Sequence, residues 1–124
     1  MNNRLLIVDD ALIMRLRIRE VAISCGWHVV GEATNGKQAI EMFRELQPDL
    51  VTMDIVMPEM DGVDSLRAIR ELNSKARVCM VSAINQRDKL IECIRLGAVD
   101  FIVKPFDKSR LISLLEKQRP SNDD

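Results

Sequence analysis

Two adjacent carboxylates, Asp9 and Asp10, directly follow four apolar residues, Leu5–Val8. Neighbouring negative charges at the edge of a core lose hydration and repel each other, so such a pair destabilises the fold unless something neutralises it. A hard divalent cation removes this cost, because Mg²⁺ takes oxygen ligands and is commonly held by one or two carboxylates together with water and phosphate. The pair therefore predicts a cation site.

Three further residues suited to phosphoryl chemistry end later apolar runs. Asp54 ends the run VTMD, Ser82 ends CMVS and Lys104 ends FIVK. A carboxylate that attacks phosphorus forms an acyl phosphate, while an ammonium and a hydroxyl stabilise charge on the transferred oxygens. Each residue alone would be an ordinary strand end or turn residue. Together they predict a phosphoryl-transfer site in which Asp54 is a further metal ligand or the nucleophile.

Five strand-like runs alternate with helical segments and would position these side chains. The alternation predicts a single doubly wound α/β domain, (βα)5, with a parallel five-stranded sheet and right-handed crossovers. Ligands of such sheets bind beyond the carboxyl ends of the strands, so the five residues are expected to converge there. The predicted strands are Arg4–Val8, Trp27–Ala33, Leu50–Met53, Arg77–Val81 and Phe101–Val103.

Apolar stripes at helical spacing are expected to pack the helices on the sheet. The predicted core covers about residues 4–117, and the polar tail, residues 118–124, is expected to fray. The stripes are Met14, Ile18, Val21 and Ala22; Ala39, Ile40, Phe43 and Leu46; Val63, Leu66 and Ile69; Leu90, Ile91 and Ile94; and Leu111, Ile112 and Leu115.

Composition narrows the class of function. The 124 residues carry a net charge of −1 and include 47% hydrophobic residues, which is typical of one globular domain with no strong field for nucleic acid or anionic lipid. We therefore expect no direct nucleic-acid binding and no membrane insertion, and the start of the chain has no export signal. Three widely spaced cysteines without metal-binding motifs are typical of small buried residues in a reducing cytoplasm.

The motifs LLIVDD, DIVMPEMDG, VSA and DFIVKPF occur in this order between Arg4 and Lys117. In these motifs the chain resembles a response-regulator receiver domain, particularly the stand-alone chemotaxis type. The resemblance implies a flavodoxin-like strand order 2-1-3-4-5. It also implies that Asp54 accepts a phosphoryl group from the phosphohistidine of a sensor histidine kinase. Mg²⁺ would be required, with Mn²⁺ able to substitute, and no separate substrate would be turned over, so the chain is not expected to be an enzyme.

The resemblance also assigns roles to individual residues. Asp9 and Asp10 match the family's acidic pair, with Asp10 the more direct metal ligand, and the backbone carbonyl of Val56 supplies another ligand beside Asp54. The remaining assignments are Ser82 and Lys104 on the phosphoryl group, Pro105 after a cis bond, and Phe101 as an aromatic that turns inward on activation.

Two apolar residues depart from the enteric chemotaxis type and put the phosphoryl lifetime in question. Val56 and Ile84 stand two positions after Asp54 and Ser82, where that type is polar. The resemblance places the downstream target, such as the flagellar motor or a phosphatase, on the face of the fourth helix, fifth strand and fifth helix. A monomer is expected. Phosphorelay shuttling, or control of a separate enzyme or transcription complex, stays open beside chemotaxis.

Three rival readings fit the sequence less well. A phosphatase of the haloacid dehalogenase type needs an acid two residues after its nucleophile, where Val56 follows Asp54. A flavin- or nucleotide-binding domain needs a phosphate-cradling first loop, where this chain has two carboxylates and no glycine. An interaction module without phosphorylation would lack Asp54 or Lys104, and both are present.

Overall fold

Residues 3–119 are described by a computed structural model in which five strands alternate with five helices. The strands are β1 (Arg4–Val8), β2 (His28–Ala33), β3 (Leu50–Asp54), β4 (Val78–Ala83) and β5 (Asp100–Lys104). The helices are α1 (Leu12–Ser24), α2 (Gly36–Leu46), α3 (Gly62–Leu72), α4 (Arg87–Arg95) and α5 (Lys108–Lys117).

The strands form one parallel sheet in the order β2-β1-β3-β4-β5, which confirms the expected topology. Because β1 lies next to β3, the chain reverses its direction of winding between them, and the loops after these two strands open side by side. The carboxyl ends are also in register across the sheet, since Asp54 pairs with Val81 and Ala83 pairs with Lys104.

Helices cover both faces of the sheet and divide the core in two. One cluster packs α2, α3 and α4 on the sheet through residues such as Phe43, Leu66 and Leu90. The other packs α1 and α5 through residues such as Ile18 and Leu111. Both faces of the central strands are therefore buried, and only their ends offer side chains to a ligand.

One apolar stripe was wrong in part. On α4 the buried residues are Leu90 and Cys93, whereas Ile91 and Ile94 are 37% and 48% exposed. The sequence contains two sets at spacing i, i+3, rotated by one residue, and periodicity does not say which set faces the sheet. Leu90 packs as expected, whereas Ile91 and Ile94 line a surface groove beside β5.

Strand ends also run further than expected. The predicted β3, β4 and β5 stopped at Met53, Val81 and Val103, but the ladders continue through Asp54, Ala83 and Lys104. Backbone pairing continues through polar residues because the ladder needs only N–H and C=O groups.

The first residue of the predicted tail, Gln118, is held in place and does not fray as expected. Gln118 is 7% exposed, and its side-chain oxygen accepts from Arg77 Nη2 at 2.7 Å. The rest of the predicted tail from residue 120 lies outside the described residues.

Cys25, Cys79 and Cys93 are buried free thiols. Among the described helices, none has the length and apolar character needed to span a bilayer.

Candidate functional site

Three carboxylates meet where β1 and β3 end. Asp9 and Asp10 follow the last residue of β1, and Asp54 is the last residue of β3. One carboxylate oxygen of each lies within 4.8 Å of the others. Asp9 and Asp54 are 1% and 5% exposed, whereas Asp10 is exposed. The fold therefore brings together the three acidic residues that were expected to converge.

Lys104 is the positive partner of this cluster. Its Nζ lies 3.4 Å from Asp54 Oδ1 and 3.5 Å from Asp9 Oδ2. These are long contacts for an ammonium and a carboxylate, which commonly approach to about 2.8 Å. One ammonium therefore stands between two buried carboxylates without closing tightly on either.

Asp9 is also held by the backbone around it. Its Oδ1 accepts the N–H of Ala11 at 2.8 Å, in the turn that leads into α1. Arg15 on α1 donates to the Asp9 carbonyl at 2.8 Å and to Glu32 Oε1 at 3.0 Å. Sequence reasoning missed Arg15, because an arginine on a helix is usually solvated. Its contact fixes the backbone of the acidic pair.

The pKa of Asp54 is raised from 3.8 to about 6, chiefly by burial and then by the charge of Asp9, while Lys104 lowers it. Desolvation disfavours the charged form of a carboxylate, so the group becomes more basic than a surface aspartate. At neutral pH it is still mainly ionised. Asp54 thus combines negative charge with high basicity, which favours attack on an electrophile.

Two glycines shape the loop that follows Asp54. A Cβ on Gly62 would lie 2.3 Å from the backbone oxygen of Asp54, and a Cβ on Gly36 would lie 2.4 Å from the oxygen of Met60. Backbone N–H groups make these approaches useful, because Gly36 donates to Met60 at 3.0 Å and Gly62 donates to Ile55 at 2.6 Å. Because neither position has room for a side chain, the two glycines let the loop fold tightly against Asp54.

Ser82 lies near the end of β4 and is 1% exposed. Its hydroxyl donates to the carbonyl of the next residue, Ala83, at 2.9 Å. The hydroxyl therefore has a partner next to it in the chain. Among the described residues, it makes no hydrogen bond to any of the three carboxylates. Rotation about χ1 would free the hydroxyl for another acceptor.

Phe101 on β5 is half-buried and lines a groove between α4 and β5 with a volume of about 390 Å³. The groove also contains Ser82, Leu90 and the two exposed isoleucines of α4. The Phe101 backbone is fixed, since its N–H donates to Asp100 and its carbonyl accepts from Arg110. The ring therefore borders open space in a groove that Ser82 also lines.

Val56 and Ile84 border a separate cleft of about 360 Å³ at the start of α4. Their side chains are 48% and 83% exposed. Lys89 also lines this cleft, and its Nζ lies 3.3 Å from Asp61 Oδ2. Two apolar side chains therefore stand on the loops that follow β3 and β4.

The peptide bond between Lys104 and Pro105 is cis, as the resemblance implied.

The donor set fits a hard divalent cation. All three side chains offer oxygen, which Mg²⁺ prefers, and an octahedron with bonds of about 2.1 Å has opposite ligands about 4.2 Å apart. One carboxylate oxygen each of Asp9, Asp10 and Asp54 lies within 4.8 Å of the others, so one ion placed among them could contact all three side chains. The ligand chemistry and the excess negative charge both favour Mg²⁺ over a soft metal.

Comparison with known proteins agrees with this geometry. The family described as response regulator receiver domain matches residues 5–116. The chain is 48% identical to the chemotaxis protein CheY of Thermotoga maritima and 49% identical to that of Bacillus subtilis, in each case over 94% of this chain and 98% of the relative.

A solved structure shares the fold closely. A crystal structure of a CheX–CheY–BeF3–Mg complex from Borrelia burgdorferi superposes with a TM-score of 0.87 at 33% identity, over 92% of this chain and 87% of that one. Since the receiver-domain family matches residues 5–116 and both chemotaxis relatives are matched over 98% of their length, the chain belongs to the response regulator receiver domain family of two-component signalling proteins.

Proposed function

We propose that this receiver accepts a phosphoryl group on Asp54 from the phosphohistidine of a sensor histidine kinase. The observation that carries the proposal is the placement of Asp54: a buried, basic carboxylate at a strand end, with two further carboxylates and the Lys104 ammonium around it. A nucleophile and charge stabilisers held at fixed positions are what phosphoryl transfer requires.

Asp9, Asp10, Asp54 and the backbone carbonyl of Val56 would hold Mg²⁺, and Mn²⁺ would fit the same oxygens. The ion, when bound, supplies positive charge next to the phosphoryl oxygens. Asp10 is the most accessible of the three carboxylates, and Asp9 already accepts a hydrogen bond from Ala11. Asp10 is therefore the ligand best placed to bind a largely hydrated ion directly.

The chain's own residues divide the transfer between them. An Asp54 oxygen attacks phosphorus, the new O–P bond forms as the P–N bond of the phosphohistidine breaks, and the imidazole leaves with its electron pair. Lys104, already 3.4 Å from Asp54, follows the transferred group and balances its charge. Ser82 gives up its bond to Ala83 and donates to a phosphoryl oxygen.

Movement of Ser82 toward the phosphoryl group connects the site to the surface. It vacates room at the top of the groove between α4 and β5, into which Phe101 turns. The face of α4, β5 and α5 changes shape as a result and becomes the binding surface for the downstream target. Arg87 and Arg95, both on α4, give that face a basic rim suited to an acidic amphipathic segment.

We propose chemotaxis as the pathway, with the flagellar motor or a phosphatase as the target. The support is the pair of chemotaxis relatives at 48% and 49% identity, each matched over 98% of its length. The chain would act as a single receiver domain, in monomeric form, without a substrate of its own. Buried free thiols support a place in the reducing cytoplasm. A phosphorelay shuttle is the alternative.

Chemical phosphorylation tests the proposal. Incubation with a small acyl or amido phosphate and Mg²⁺ should add one phosphoryl group, detected by intact mass and removed by hydroxylamine. Asp54→Asn should take no label, while Asp88→Asn, at an exposed aspartate in the first turn of α4, should be labelled like the wild type. Equal labelling of the Asp54→Asn variant would place the acceptor elsewhere. Capture with and without beryllofluoride then identifies the state-dependent partner.

A further inference from the structure

Arg17 on α1 lies outside the acidic cluster but contacts the segment that follows Lys104. Its Nη2 donates to the backbone carbonyl of Phe106 at 2.7 Å, and its guanidinium lies 5.0 Å from the centre of the Phe106 ring. Building on the function proposed above, we propose that Arg17 is a positioning residue for Lys104. It fixes the segment between β5 and α5 so that the ammonium stays between Asp9 and Asp54.

The position of Lys104 depends on that segment. Lys104 is the last residue of β5, only Pro105 separates it from Phe106, and Asp107 already caps α5 by accepting from Arg110. The ammonium stands 3.4–3.5 Å from its two carboxylates, at the outer limit of hydrogen-bond distance. A small outward shift of the segment would therefore break both contacts, while a tight ion pair would tolerate it.

Phe106 is the point at which the segment is held. Its side chain is 7% exposed and packs in the core cluster between α1 and α5. Arg17 covers the outer face of that ring and also binds the Phe106 carbonyl, so it restrains both side chain and backbone. A planar guanidinium can stack and donate at once, whereas the compact ammonium of lysine has no such planar fork.

Helix α1, which carries Arg17, is itself attached to the acidic pair. The helix α1 begins two residues after Asp10, and Arg15 ties the helix to the Asp9 carbonyl. Arg17 therefore joins the helix that follows the acidic pair to the loop that follows Lys104. It sets the separation between the carboxylates and the ammonium from outside the site.

A double-mutant cycle tests this role. Arg17→Met keeps an unbranched stem but removes the donors and the charge. We expect phosphorylation by a small acyl phosphate at saturating Mg²⁺ to slow by about tenfold, since misplacement by about 1 Å can cost as much as 10²-fold. In a Lys104→Met background the same change should have no further effect, because the ammonium is already gone. Arg17→Lys should recover only part of the rate.

The matched control is Arg19→Met, two residues along the same helix. Arg19 pairs with Glu32 at 2.8 Å and does not contact Phe106, so its loss should leave the rate unchanged. An unchanged rate in Arg17→Met, or an equal slowing in both backgrounds, would refute the positioning role. If Arg17→Met simply impaired folding, it would slow phosphorylation equally in the wild-type and Lys104→Met backgrounds. The cycle therefore distinguishes a folding defect from a loss of Lys104 positioning.

A structure of the Arg17→Met variant tests the positioning role independently of the rates. Displacement of Lys104 Nζ from Asp54 Oδ1 beyond the present 3.4 Å supports the inference, and an unchanged separation overturns it. This measurement stands even if the wild type takes no label, in which case the proposed phosphoacceptor function fails by itself.

Discussion

Replacing Asp54 by asparagine should stabilise the metal-free protein at neutral pH. The folded-state pKa of Asp54 is raised from 3.8 to about 6, chiefly by burial and then by the neighbouring charge of Asp9. Folding therefore makes ionisation of this carboxyl harder. Well below pH 3.8 the group is neutral in both states and costs nothing. Between pH 3.8 and about 6 only the unfolded state ionises readily, so the folded protein loses stability as the pH rises, and the loss is complete above about pH 6.

The size of the effect follows from the shift. One pKa unit corresponds to about 1.4 kcal/mol, so the ionised carboxylate destabilises the fold by about 1 kcal/mol at pH 4.5 and by about 3 kcal/mol at pH 7. Asparagine has nearly the same shape and no charge, and it removes this cost. Loss of the Lys104 contact is already contained in the shift, because Lys104 lowers the pKa of Asp54.

Urea unfolding with a chelator present measures the difference. With a slope of about 1–3 kcal/mol per molar urea, the midpoint of Asp54→Asn should lie about 1–3 M above that of the wild type at pH 7, and the gap should narrow toward pH 4.5. Asp88→Asn, the exposed control, should show neither the gain nor this pH dependence. Adding Mg²⁺ should raise the wild-type midpoint by mass action and leave that of Asp54→Asn nearly unchanged. If Asp54→Asn is no more stable than wild type at pH 7, or its gain does not vary with pH, burial of the charge is not the dominant effect.

Three further results are expected. Asp10→Asn should weaken Mg²⁺ binding at least tenfold by calorimetry, because the most accessible carboxylate ligand is lost, and equal affinity would exclude it as a ligand. Val56→Asn combined with Ile84→Glu should speed loss of the phosphoryl group severalfold, since polar side chains orient water where apolar ones exclude it; a slower loss of label would contradict this. Phe101→Ala should leave phosphorylation of Asp54 nearly intact but abolish the phosphorylation-dependent gain in partner affinity, and normal discrimination between the two states would rule out this face as the switch.

The alternating pattern was enough to predict which residues share one edge of the sheet. Parallel strands present their carboxyl ends along one edge, so Asp9, Asp54 and Lys104 had to lie at the same edge once β1, β3 and β5 belonged to a single sheet, and how close they come depends on the strand order. The order of the strands did not follow from the pattern, because apolar runs carry little information about which neighbour they pair with. That order came from the resemblance, and the structure confirms it.

Contacts between distant parts of the chain were beyond sequence reasoning. Arg17 and Phe106 are 89 positions apart, and nothing in either local sequence distinguishes this arginine from a solvated one. The rotation of α4 was missed for a related reason. Cys93 and Ile94 are both apolar neighbours on a short helix, and only packing against the finished sheet decides which one is buried.

The charges at the site explain why its residues were visible in the sequence at all. Three carboxylates face one ammonium, which leaves two formal negative charges at the edge of a buried sheet. A fold selected for stability alone would remove them, since an unbalanced buried charge is among the most costly features of a core. A divalent cation would bring the formal charge to zero, and conversion of the Asp54 carboxylate to an acyl phosphate would restore negative charge at the place where Lys104 and Ser82 can respond. Under the proposed function, the acidic ends of these apolar strands would bind the ion, receive the phosphoryl group and start the change of shape.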